Sequence, residues 1–313
     1  MRKRSKVFNF WTLMILIVIV FYGLFFLYPI GTLLREAVIQ PVTGALTFEH
    51  FEKFFERRYY FQTIINTFKV TSIATVLTLA IGVPLAYFTN IYKIKGKRFI
   101  NIAIIMASMS APFIGAYSWI LLLGRNGLIT NFFQNYLNIT IPDIYGFNGI
   151  LLVFTLQLFP LVYLYTQGAL SNVDNTLFEA SESMGVTGVK RFFKIVLPLI
   201  RPTVFASGLL VFMNAFADFG TPMLIGEGYR TFSRLIFDAF VGEVGTDAGF
   251  AAAISVIAIL VTTTVFLVQR YLSNRKQFSM SALHSIQAQE MKRGQSILVH
   301  TFVYGFVGLA FMP

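Results

Sequence analysis

One acid, Asp218, stands inside an apolar run, in the segment Ala217-Asp218-Phe219-Gly220-Thr221-Pro222. At that depth a carboxylate can relay a proton or a sodium ion, ligate a hard cation through oxygen, meet a polyamine by charge, or pair with an amine on a neighbouring helix. Lys69 lies at similar depth in another apolar run and is the amine in question, and Asn214 sits one helical turn before Asp218. Counted from Thr203 at the inner end of its run, Asp218 lies about 22 Å along a helix, toward the outer mouth. These three residues are the candidate lining of a translocation path. No other constellation has the spacing of a reactive centre. Cysteine is absent, His50, His284 and His300 are scattered, and there is no H-E-x-x-H, no carboxylate pair and no nucleophile with a base. Phosphate-cradling G-x-x-x-x-G-K-[ST] is missing too, since Gly96-Lys97 has neither the earlier glycine nor the hydroxyl residue. The chain reads as one that neither hydrolyses ATP nor binds a cofactor or metal of its own.

The elements that must hold these residues are membrane helices. Of 313 residues, 56% are hydrophobic and only 12% charged, with 35 Phe, against about 25% charged in soluble domains. One buried core cannot absorb that much apolar surface, so lipid must. Runs long enough to cross a roughly 30 Å hydrocarbon layer fall at residues 8–33, 62–90, 99–123, 149–170, 203–225 and 250–270, and a last apolar stretch starts at 297. The first run is too long for the apolar region of a signal peptide and has no small-residue cleavage site, so it reads as an anchor. With the N-terminus in the cytosol, 17 of the 25 Lys and Arg fall on inner segments and 8 on outer ones, which sets the orientation. The net charge of +11 is thereby accounted for without nucleic acid. Within the third run, Met106 and Met109 with Ser108 and Ser110 are a candidate gate.

Between the fourth and fifth runs, Ser171 to Pro202 is far longer than a helix connection requires. Asp174 and Asn175 can cap a short helix over Phe178-Glu179-Ala180-Ser181-Glu182-Ser183, and Gly185 can stop it. A second short helix over 189–196 carries Lys190, Arg191 and Lys194, and Pro198 and Pro202 are expected to break the chain after it. Small residues at Ala180, Ser181 and Ser183 would let a partner backbone come close. The alternative is an ordinary interfacial loop whose basic helix rests on anionic headgroups.

The run Glu179, Ala180, Ser181, then Gly185, then Ile195, Leu197 and Pro198 resembles the EAA signature of the permease subunits of binding-protein-dependent ABC importers, with Ser181 where Ala is usual. Tyr28-Pro29, Asn66-Thr67, Gly127-Leu128-Ile129 and Asp218-Phe219-Gly220 are similar to that family as well, and the likeness covers most of residues 8–272. It implies an all-α integral membrane protein with the six-span fold of type I ABC importer permeases. It also implies that the seven signature residues form a coupling helix seated in a cytosolic ABC ATPase dimer, which binds ATP and Mg²⁺, while an external or periplasmic substrate-binding protein delivers cargo. A bacterial inner-membrane location follows. The segment from Ala217 through Pro222, with Gly226 and residues 231–240, resembles the ferric-iron branch; polyamine, thiamine and 2-aminoethylphosphonate are the alternative cargoes. A secondary transporter is the rival class, and Asp218 is its only support.

Residues 273–296 read as a polar linker. Residues 297–313 start an apolar run of about 25 Å at helical rise, and Gly308-Leu309-Ala310-Phe311-Met312-Pro313 is similar to Gly23-Leu24-Phe25-Phe26-Leu27-Tyr28-Pro29. The expectation is that residues 1–285 are one transmembrane half, and that 286–313 are a linker and the partial first span of a second, truncated half of a fused two-half permease. A C-terminal anchor at the interface is the other reading.

Overall fold

In the computed structural model, which describes residues 10–40, 44–241, 247–274, 290 and 293–311, the apolar runs are helices, and the described residues fall into two units. The first unit comprises residues 1–61 and 235–263. Its α1, Phe10–Val38, passes through one wide turn at Gly23–Leu27 and buries no side chain over Phe10–Tyr22, as suits a helix surrounded by acyl chains. Helix α2, Glu49–Glu56, follows an antiparallel bridge between Ile39 and Leu46. A small core of Ala37, Ala252 and Ala253, with Leu33, Phe51 and Val256 around it, forms where small residues let backbones approach. Here Lys53 donates to Asp247 at 2.8 Å.

The second unit, residues 62–234 and 264–313, holds the candidate sites. It is built from α3 (Arg58–Ile91), α4 (Lys97–Ser108), α5 (Pro112–Leu123), α6 (Leu128–Leu137), α7 (Phe147–Ser171), α8 (Asn175–Ser183), α9 (Gly188–Ala217), α10 (Gly220–Ile225) and α13 (Arg293–Phe311). Helices α11 (Phe232–Val241) and α12 (Ala248–Asn274) begin in one unit and end in the other. Helix α7 is the spine against which α4, α5, α9 and α10 pack. Gly82 on α3 meets α7 so closely that a Cβ there would lie 2.7 Å from Val162 Cβ and 3.0 Å from the Phe159 carbonyl. In the buried cluster, Tyr163 on α7 donates to Asn101 Oδ1 at 2.6 Å and its hydroxyl lies 3.0 Å from Thr89 Oγ1, so one phenol joins three helices. Val299, Val303 and Val307 place α13 in the same cluster.

Five described helices are long and apolar enough to cross a membrane, and the third run makes a sixth as a bent pair. That run is not the single straight span over 99–123 that hydropathy suggests: α4 and the helices after it meet at 105°. Pro112 supplies the reason, because its ring disfavours helical geometry at the preceding residue, and Ala111 is extended (φ −71°, ψ 142°). The fifth span also differs from expectation. Pro198 and Pro202 do not break the chain, and α9 runs unbroken from Gly188 to Ala217. A wide turn at Phe192–Val196, where Leu197 N–H bonds the Phe192 carbonyl five residues back, makes room for the ring of Pro198. At its other end α9 stops at Ala217 rather than running on to 225, since Asp218 is extended (ψ 118°). The linker expected over 273–296 lies mostly outside the described residues.

Candidate functional site

The segment between α7 and α9 folds as a compact tip. Asp174 accepts the Thr176 N–H at 2.9 Å and caps α8, while Asn175 donates to Glu179 Oε1 at 2.8 Å. Residues three apart on α8, Asn175, Phe178 and Ser181, face inward. Gly185, at φ +71°, closes the helix with Gly185 N–H on the Glu182 carbonyl (2.9 Å) and Val186 N–H on the Ser181 carbonyl (2.8 Å), the paired bonds that a left-handed glycine permits. Glu179, Ala180, Ser183, Met184 and Gly185 are left exposed together.

Of the seven signature residues, the fold therefore brings Glu179, Ala180 and Gly185 onto one outward face. Ser181 does not join them. It is 2% exposed and donates to the Phe178 carbonyl at 2.7 Å, so its small size serves packing rather than close approach by a partner. Ile195 and Leu197 are half-buried at the start of α9, and Pro198 is exposed there; these three shape the wide turn.

Two further residues belong to this tip, neither of them marked as part of it by the sequence. Met184 is 80% exposed at its point, a flexible apolar side chain of the kind that binding surfaces use. Arg191 is 3% exposed, with its guanidinium 4.9 Å from the centre of the Phe178 ring. In the sequence it stands with Lys190 and Lys194 as one of three basic residues of a short helix. Only its position three residues after Gly188, on the inward face of a helix beginning there, could have marked it.

At the other end of α9 the chain turns through Asp218. Its carboxylate accepts from Gly220 N–H (2.8 Å), Thr221 N–H (3.2 Å) and Thr221 Oγ1 (2.8 Å), and its carbonyl accepts from Ser233 Oγ (2.8 Å). Oδ1 thus caps the backbone of the short helix α10, and Oδ2 holds the Thr221 hydroxyl. Lys69 lies instead over the Phe147 ring at 5.0 Å, and among the described ion pairs none joins it to Asp218, so the alternative of a strut between the two is not formed. Asn214 is exposed and donates to the Leu210 carbonyl at 2.7 Å. Asp218, Asn214 and Lys69 do not converge on one point through any described bond.

The loop after α10 is fixed by α3. Asn66 donates to the Arg230 carbonyl (3.0 Å), Tyr229 donates to the Asn66 carbonyl (2.8 Å), and Phe232 N–H bonds Thr67 Oγ1 (2.8 Å). Burial pushes the Tyr229 phenol up to about 12, so it remains a donor. Nearby, Arg125 forks onto Glu227 at 2.9 and 2.9 Å and reaches Asp143 at 3.1 Å, which holds Glu227 at φ +33°.

Of the candidate gate residues, Met106 and Ser110 line a cavity of about 300 Å³ at the bend between α4 and α5, together with Trp119 and Gln157. The Gln157 carbonyl oxygen is buried there without a hydrogen bond. Met109 is exposed, and Ser108 donates to the Ile105 carbonyl at 2.6 Å.

Comparison with known proteins places this geometry. The family model described as "Binding-protein-dependent transport system inner membrane component" matches residues 79–278, well over half the chain. The ferric transport system permease protein FbpB of Actinobacillus pleuropneumoniae is 25% identical over 225 residues, which is 71% of this chain and 33% of that protein. The sn-glycerol-3-phosphate transport system permease protein UgpA of Shigella dysenteriae serotype 1 is 29% identical over 272 residues, 82% of this chain and 91% of that one. The chain thus spans about a third of the length of its ferric-transport relatives. A membrane chain from a bacterial ABC transporter that imports alginate has the same fold, with a TM-score of 0.69 at 17% identity, over 85% of this chain and 95% of that one.

Proposed function

This chain belongs to the family of binding-protein-dependent transport system inner membrane components, and we propose that it forms one half of the pathway through which a bacterial ABC importer takes up ferric iron. As an ABC importer permease it is a non-catalytic membrane subunit with the type I fold. In our reading ATP and Mg²⁺ bind to a dimer of a partner ATPase on the cytosolic side. The tip Glu179-Ala180 and Ser183-Met184-Gly185 seats in that ATPase, and its closure tilts α9. An external binding protein delivers the cargo at the opposite face, where α10 and the loop held by Asn66 and Thr67 lie. The N-terminus is cytosolic, by the distribution of Lys and Arg. Residues 1–285 supply one side of a two-fold pathway, and a second permease half supplies the other.

The observation that carries this reading is the capped α8 with its exposed face, standing on a helix continuous to the other end of the bundle. On α8 itself Phe178 is buried and the acidic Glu179 and Glu182 are exposed, which disfavours an anionic surface against that face; the exposed Val189, Lys190, Phe193 and Lys194 at the start of α9 are the part of the segment that suits headgroups. Ferric iron is supported by the likeness to ferric permeases of two bacteria. The test is uptake of labelled ferric iron, a polyamine, thiamine and 2-aminoethylphosphonate by cells with and without this gene, each with and without ATP depletion. Iron uptake that falls on deletion supports the assignment. Iron uptake unchanged, with loss of another solute, moves the cargo and leaves the machinery standing.

A further inference from the structure

We propose that Arg191 is a positioning residue that makes α8 and the start of α9 move as one body, so that a push on the exposed tip becomes a tilt of the spanning helix. The inference rests on the permease reading and adds a residue that its signature, which passes from Gly185 to Ile195, leaves open. A buried guanidinium is costly unless the surroundings repay its lost hydration. Here it lies 4.9 Å over the face of Phe178, the buried ring of α8, in the geometry by which an aromatic quadrupole attracts a cation. The next residue, Phe192, packs edge-on against Tyr87 of α3 at 4.8 Å, and Tyr87 lies within electrostatic reach of Arg191.

In the chain α8 is joined to α9 through residues 184–187, between glycines at φ +71° and +57°, and across that connection the Arg191–Phe178 contact adds a charged link to the apolar cluster that Leu177 and Phe178 share with Phe192 and Val196. Gly185 and Gly188 have nothing within 4 Å of where a side chain would begin. Such a connection is a hinge, and a hinge absorbs a push instead of passing it on. Arg191 bridges the hinge. Beyond it α9 is unbroken to Ala217, about 39 Å of helix at 1.5 Å per residue, so the displacement needs no relay of side chains to reach α10.

The chain has no cysteine, which allows labels at chosen sites. Thr176→Cys and Val189→Cys, both exposed, would carry a spin-label pair across the hinge in the complete reconstituted importer. The 176-to-189 distance should stay constant, within the width of its distribution, between nucleotide-free and ATP-bound states. In Arg191→Gln, which keeps the planar shape but loses the charge, the distribution should broaden. Solute transported per ATP hydrolysed should fall at least tenfold, while ATP hydrolysis continues. Arg191→Lys should recover much of that ratio, and Phe178→Leu should lose it as Arg191→Gln does. A distance that changes through the cycle of the otherwise unaltered complex overturns the inference, whatever the variants do, and so does a native transport ratio in Arg191→Gln. An unaltered complex that shows no ATP-dependent uptake refutes the permease reading and takes the inference with it.

Discussion

Gly185 separates two explanations of the docking tip that other positions confound. Its φ of +71° is a conformation that costs an L-residue about 1 kcal/mol. Yet a Cβ built at Gly185 has nothing of its own chain within 4 Å. Replacement by Ala therefore acts through backbone strain, through the partner, or both, and not through a clash of its Cβ inside the subunit. Gly185→Ala should disfavour the closing turn by about 1 kcal/mol, roughly a fivefold loss of the docking-competent tip and of affinity for the ATPase. Gly185→Asn should lie within about twofold of native if the strain is what matters, since Asn tolerates left-handed geometry. Gly185→Phe should insert and fold normally but fail to dock, because a ring at the centre of the exposed face holds the partner off. The assay is titration of the purified ATPase onto the permease in nanodiscs, with uptake measured in parallel. Tight docking and full uptake by Gly185→Phe would refute the reasoning, because the open surface around Gly185 would then touch nothing.

Gly82→Leu should be destabilised by about 1–3 kcal/mol through overpacking, since even its first carbon would lie 2.7 Å from Val162 Cβ; thermal unfolding in detergent reads this out, and an unchanged midpoint contradicts the α3–α7 crossing. Asp218→Ala should cost about 0.5–2 kcal/mol as a lost helix cap, whereas Asp218→Asn, which retains one acceptor oxygen, should cost less. Uptake lost in Asp218→Asn at native stability would show that the charge serves the cargo. Asp247 gives a pH dependence. Burial alone would raise its carboxyl, but the Lys53 hydrogen bond, the Phe250 N–H and the charges of Lys53 and His50 outweigh burial and hold it below the ordinary carboxylate range. Its contribution to stability is therefore complete above the unfolded value of about 4 and is lost as pH falls through the depressed folded value. Asp247→Asn should flatten that acid limb in thermal scans from pH 6 to pH 3, and an identical limb in both proteins would contradict the assignment.

The spans were legible because a membrane imposes composition over some twenty residues at a time, a signal too large for local detail to hide. That same averaging hid the bend after Ser108. The run from Ile100 to Leu123 is predominantly apolar and carries no charge, and Pro112 marks the place where Ala111 must leave the helix. Proline alone is an ambiguous mark. Pro198 and Pro202 carry the same chemistry and leave α9 continuous, because a wide turn just before Pro198 relocates the carbonyl that its ring would strike. Whether such a turn forms depends on the packing of Phe192 against Tyr87, more than a hundred residues away in the chain.

The local role of Asp218 was hidden for a related reason. Read on a helix that continues, it is a lone intramembrane acid in search of a cation. Read as the residue that ends α9, it stands two before a glycine and three before a threonine, a standard arrangement for capping a following helix, and the observed bonds go to those two residues. Arg191 reverses the error. Charge counting treats every inner Lys and Arg as a topological marker, and seventeen such residues conceal Arg191, which is buried. What separates it from Lys190 and Lys194 is its facing, fixed by where α9 begins, and that beginning follows from Gly188 at φ +57°. Gly185 and Gly188 both take left-handed φ between α8 and α9, and the buried contact of Arg191 with Phe178 lies across them, although no pattern of residue types announces it.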